Sequence, residues 1–117
     1  MKIKTKLGYI NARDAIHLDV VKYYIETLEL VFEGEINSSS CSIKQIEKWI
    51  KYKFSFESVN SYKCIPVDDF NENLTESSFD IILNENEKSE SNKYILSTYD
   101  HIFEILAKDY ILETYID

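Results

Sequence analysis

The side chains in this chain best placed to do chemistry are carboxylates, and they are crowded. Between Asp68 and Glu90 stand eight acidic residues (68, 69, 72, 76, 80, 85, 87 and 90) against a single base, Lys88. A field this negative attracts cations and basic surfaces and repels nucleic acid, membranes and acidic substrates. The acids do not follow the calcium-loop pattern, which needs a glycine at its sixth position. The competing reading is a solvated loop whose charge does no more than keep the protein soluble.

Other reactive residue types lack partners. His17-Leu18-Asp19 and Asp100-His101 bring an imidazole near a carboxylate in sequence, but adjacent residues on a helix do not face each other. Across a helical turn His17 meets Arg13, Val20 or Val21, and His101 meets Ile105, Ser97 or Thr98, so neither acquires a catalytic or metal-binding neighbour. The serine run Ser38–Ser40 with Cys41 has no nearby base, and no GxSxG elbow is present. Gly8 and Gly34 stand alone, so no phosphate-cradling loop exists. Cys41 and Cys64 are too distant for a CxxC redox or zinc motif. Reduced thiols are the simpler expectation, a Cys41–Cys64 disulfide the alternative. The residues point away from an enzyme, and no metal or cofactor is expected.

Aromatic residues give the acids a second property. The chain has nine tyrosines, a residue that buries apolar area at low entropic cost and keeps a hydroxyl for a polar neighbour. Phe70 and Phe79 lie inside the acidic segment, where they would anchor a hot spot ringed by carboxylates. The expected partner-binding residues are therefore Asp68, Asp69, Phe70, Glu72, Glu76, Phe79, Asp80, Glu85 and Glu87, facing a basic protein. The alternative is that both phenylalanines merely attach the segment to the core.

A basic surface is also conceivable. Lys44, Lys48, Lys51 and Lys53 surround Trp49 and Tyr52, a pattern compatible with a small nucleic-acid contact. Against it stands the whole chain, with a net charge of −8 and a pI near 4.7, which forfeits steering and counterion release. The charge is uneven: residues 1–56 carry +2 and residues 57–117 carry −10.

These side chains need elements to position them. At 117 residues the chain is expected to form one domain, spanning 1–117. Two glycines and one proline are few for the turns of an all-β domain, so helices are favoured. The first is expected over about 11–33, capped by Asn11 and Asp14, with Ile16, Val20, Tyr23, Tyr24, Leu28 and Val31 as its stripe and Gly34 as its stop. A second, over about 43–54, follows the Ser42/Gln45 capping-box spacing and buries Ile43, Ile46, Trp49 or Ile50, and Phe54. A third, over about 98–115, opens at Ser97/Asp100 and carries Tyr99, Ile102, Phe103, Leu106, Tyr110, Ile111 and Tyr115.

Strand signals are weaker. Lys2–Lys6 alternates as a guarded edge strand does, and Tyr62–Val67 is extended because Ile65 precedes Pro66. The apolar runs at 79–83 and 93–96 suggest a hairpin, with a short helix at 77–83 competing. The expectation is a mainly α fold with a minor β hairpin, α+β being the alternative. No signal peptide or membrane-length apolar run is visible, which makes a cytoplasmic location the simplest expectation.

In size, acidity, tyrosine content and Asn-, Lys- and Ile-rich composition the chain resembles bacterial immunity proteins. These neutralise polymorphic and contact-dependent growth-inhibition toxins, and colicin-type nuclease inhibitors form a kindred group. The resemblance covers the whole chain and carries no motif, so no residue roles come with it. It implies a cytoplasmic inhibitor of a cognate basic toxin, most often a nuclease. The alternatives are a phage-type inhibitor or nucleic-acid mimic that targets a host DNA-binding protein, and a structural or adaptor subunit.

Overall fold

Buried residues recur at every second position along much of this chain: Leu30, Phe32 and Ile36; Ile50, Tyr52, Phe54 and Phe56; Phe103, Ile105 and Ala107. That is the period of a strand. The computed structural model describes residues 1–11, 14–70, 75–82 and 91–115, and among them it has eight strands and no α-helix. The strands are β1 (Ile16–Tyr24), β2 (Glu29–Asn37), β3 (Trp49–Glu57), β4 (Ser61–Pro66), β5 (Phe79–Ile82), β6 (Asn92–Ser97), β7 (His101–Ala107) and β8 (Asp109–Tyr115).

They form two four-stranded antiparallel sheets, ordered β1-β2-β3-β8 and β4-β7-β6-β5. The chain crosses between sheets twice at one corner, from β3 to β4 and from β7 to β8. There the Lys108 amide donates to the Glu57 carbonyl (2.9 Å) and the Asn60 amide to the Leu106 carbonyl (2.8 Å). Rings join the sheets face to face: Tyr23 with Tyr62 (5.5 Å), Phe32 with Phe103 (4.9 Å), Phe56 with Tyr94 (5.4 Å) and Phe79 with Tyr110 (4.8 Å). Each contact pairs a strand of one sheet with a strand of the other, which defines a sandwich with an aromatic core.

The mainly α expectation is overturned. Within 11–33 lie β1, a turn and the first five residues of β2; within 43–54, a loop and the first six residues of β3; within 98–115, β7 and β8. In segments this dense in β-branched and aromatic residues, apolar positions three and four apart arise by chance, and tertiary pairing then selects the period of two. The scarcity of glycine and proline misled for a separate reason. Leu28 (φ 57°) and Ser58 (φ 53°) themselves take the left-handed conformation at turns, and Lys108 alone links β7 to β8. The apolar runs at 79–82 and 93–96 do pair antiparallel, as β5 with β6, but they form half of a sheet.

Packing at the margins explains the amino-terminal pattern. The Ile3 amide donates to the Phe79 carbonyl (3.1 Å) and the Ile81 amide to the Met1 carbonyl (2.9 Å), so residues 1–3 lie along the edge of β5. Lys2, Lys4 and Lys6 are exposed there, while Thr5 and Leu7 are buried. The expected edge strand is thus reduced to isolated bridges, Lys2 to Asp80 and Thr5 to Gly8. No helix among the described residues is long and apolar enough to cross a membrane.

Candidate partner-binding surface

The acidic segment begins where β4 stops. Pro66 ends the strand, and Val67–Asp69 forms one 3-10 turn in which the Phe70 amide donates to the Val67 carbonyl (3.3 Å). Asp68 and Asp69 are exposed on this turn, and Phe70 is half-buried. The Val67 amide donates to the Asp100 carbonyl (3.3 Å), which ties the turn to the β6–β7 connection. Exposed Asp100 thereby joins Asp68 and Asp69 on one side of the sandwich.

Three of the expected residues have local duties. Glu76 is exposed and accepts the Lys2 amide (3.2 Å), with the terminal ammonium 3.8 Å away. Asp80 is fully buried. Its carboxylate accepts the amides of Glu76 (2.9 Å) and Ser77 (3.1 Å) and the Ser77 hydroxyl (3.0 Å), closing the turn that leads into β5. Phe79 is also fully buried and sits among Phe54, Phe56, Tyr94 and Tyr110. Both are fold residues as placed: neither side chain is displayed to a partner. Glu72, Glu85 and Glu87 lie outside the described residues.

Between the turn and the outer face of the second sheet runs a cleft of about 250 Å³, lined by Val67, Phe70 and Ile102 on its apolar side and by Asn11, Thr75, Glu76, Ser77, Ser97 and Thr98. Thr98 shapes its end. Its hydroxyl donates to the His101 carbonyl (2.8 Å) and accepts the His101 amide (3.3 Å), so a tight turn replaces the helix cap expected at Ser97/Asp100.

Beyond Thr98 the surface turns aromatic in a way the sequence reading missed. Tyr99 is 56% exposed and Trp49 41%, and His17 lies between them, stacked on Tyr99 at 5.4 Å and edge-on to Trp49 at 4.9 Å. Three elements contribute one ring each: β1, β3 and the β6–β7 turn. The Tyr99 amide is held by the Ile16 carbonyl (2.9 Å). Helical periodicity had placed Trp49 and Tyr99 in the core. A strand reading that alternates Trp49 outward from Ile50 would have found the first of them.

The basic face expected on a second helix is dispersed. Tyr52 is buried and its phenol is pushed far up by burial, with the charge of Asp19 adding to it. Lys51 stands opposite Glu35 and Lys53 opposite Glu33 and Glu113 on the outer face of the first sheet, where opposite charges alternate across strands. Cys41 and Cys64 are free thiols, the first buried and the second exposed, and burial pushes both upward. No group of three or more His, Cys, Asp or Glu able to hold a metal ion occurs among the described residues.

The fold and site define an antiparallel β-sandwich in which a cleft beside an acidic turn adjoins an exposed aromatic cluster. No protein-family model, no curated protein and no solved structure matches the chain.

Proposed function

We propose that the chain is a binding protein that docks a basic protein through Asp68, Asp69, Phe70, Glu76 and Asp100, with Tyr99 and Trp49 as aromatic contacts. Within that class we assign it the role of an immunity protein that neutralises a cognate toxin, a nuclease by the sign of its charge. The observation that carries this reading is the Val67–Asp100 backbone bond. It sets the acidic turn beside the turn bearing Tyr99, so exposed carboxylates and an exposed ring share one surface. Carboxylates of this kind speed association with a basic partner, and desolvated rings slow its release. The partner's lysines and arginines would be those that otherwise meet phosphate, which makes occupation of the surface inhibitory.

Co-expression of the tagged chain with the product of the gene directly upstream of its own tests the proposal. A basic partner is expected whose association rate falls steeply with ionic strength. Asp68→Asn with Asp69→Asn should slow association about tenfold at low salt, and Tyr99→Ala should raise the dissociation rate. A homodimer with no basic partner, insensitive to all three changes, would instead support a structural subunit.

A further inference from the structure

The cleft beneath the acidic turn has a feature that surface charge does not explain. Ser97 projects from β6 onto the outer face of the second sheet, lines the cleft and is only 7% exposed. Its backbone amide is used, donating to the Ser78 carbonyl (2.8 Å), but its hydroxyl makes no hydrogen bond among the described residues. Yet no side-chain oxygen among those residues is sealed from solvent without a partner. The Ser97 hydroxyl is therefore open to solvent, and the cleft is the space Ser97 lines. A polar side chain that is nine-tenths buried, with a hydroxyl that only solvent or a visitor can reach, marks a position where a bound donor would find an acceptor.

We infer that this cleft receives one arginine side chain of the docked protein, an inference that rests on the proposed function. Three observations select the occupant. The volume, about 250 Å³, falls below the roughly 300–1,000 Å³ of pockets for drug-sized ligands and suits a single side chain. The walls are divided as an arginine is divided: Val67, Phe70 and Ile102 for the methylene stem, and the Ser97 hydroxyl as acceptor for the head, with the acidic Glu76 also lining the cleft although one of its oxygens is engaged by the Lys2 amide. Phe70 puts an aromatic residue in the cleft wall, a contact that a planar guanidinium uses better than a lysine ammonium does. Guanidinium also presents five donors in a fixed fork, so one can meet the Ser97 hydroxyl while others stay free for neighbouring acceptors.

Titration of the labelled protein with the capped tripeptide acetyl-Gly-Arg-Gly-amide, followed by amide NMR, tests the inference separately from docking. Saturable shifts are expected at Phe70, Ser97 and Thr98. The neutral isostere with citrulline should bind at least about tenfold more weakly, since a charge-assisted contact is lost. Ser97→Ala, which leaves the apolar walls intact, should weaken arginine binding about fivefold with an unchanged melting temperature. If shifts appear only at Asp68, Asp69 and Glu76, are equal for the lysine tripeptide and ignore Ser97→Ala, the cleft has no arginine site, although the acidic docking surface stands. If neither the tripeptide nor a hexa-arginine peptide produces shifts, both the inference and the docking reading fall.

Discussion

The Tyr52 hydroxyl donates a 3.0 Å hydrogen bond to the carbonyl of His17, two strands away. Its cause is an irregularity in β1, where the register with β2 shifts between Leu18 and Val20. The bulge turns the His17 carbonyl over Gly34, so closely that a Cβ on Gly34 would stand 2.0 Å from that oxygen. Tyr52, directly opposite Gly34 on β3, crosses the space a side chain would have filled and satisfies the carbonyl. Three strands are thus pinned by one phenol, and the amino-terminal end of β1, which carries His17 toward Trp49 and Tyr99, is held with them.

Tyr52→Phe leaves the His17 carbonyl without its donor and should cost about 1–2 kcal/mol in urea unfolding. The phenol also confers a pH dependence. Burial first, and the Asp19 charge second, raise its pKa in the folded state. The stability tied to this proton is therefore complete below the unfolded tyrosine value of about 10 and is lost as pH rises through and beyond it. Tyr94 and Tyr110 are raised as well, chiefly by burial. Urea midpoints should fall above about pH 10, and Tyr52→Phe should flatten that fall without removing it.

Gly34→Ala should be more damaging than its size suggests. The atoms it meets are backbone, the His17 carbonyl and the Asp19 amide nitrogen at 3.2 Å, and these cannot swing aside. A loss of about 3 kcal/mol is expected, with amide exchange accelerated in β1 before the rest of the first sheet.

Phe79→Ala and Asp80→Asn separate the fold duties of the acidic segment from its proposed docking role. The first removes a fully buried ring and should cost about 4 kcal/mol. The second weakens the acceptor for two amides and a hydroxyl and should cost about 1–2 kcal/mol. Asp68→Asn, on the exposed turn, should stay within about 0.5 kcal/mol of the parent. Chemical denaturation of the three variants checks the order.

Glu104 on β7 is 3.6 Å from both Lys63 of β4 and Lys93 of β6, and its side chain is 12% exposed. One carboxylate therefore ties three strands of the second sheet. Both lysines are partly solvated, so Glu104→Gln should cost only about 1 kcal/mol at low salt. The difference from the parent should shrink as salt rises, read as the gap between melting temperatures.

Parts of this arrangement were legible along the chain. Ile65 before Pro66 reported an extended segment because proline excludes the helical region for its predecessor, and that segment is β4. The pairing of 79–82 with 93–96 followed from two apolar runs flanking a polar one. The three helices were misread, since Ile102, Phe103, Leu106 and Tyr110 satisfy a helical spacing while Phe103, Ile105 and Ala107 satisfy a strand's, and no local rule chooses between them.

The sequence by itself determined the sign of the field and its concentration between Asp68 and Glu90, because charge depends on composition and needs no contacts. It contains no CxxC pair, no GxSxG elbow and no calcium-loop spacing. The tertiary structure alone decided which of those residues face outward. Strand pairing turned Phe79 and Asp80 into the fold and left Asp68, Asp69 and Glu76 outside. It also set Tyr99 and Trp49 beside His17 from three separated stretches of chain. Side-chain direction in a strand reverses at every residue, so exposure hangs on register, and register is fixed by partners many residues away.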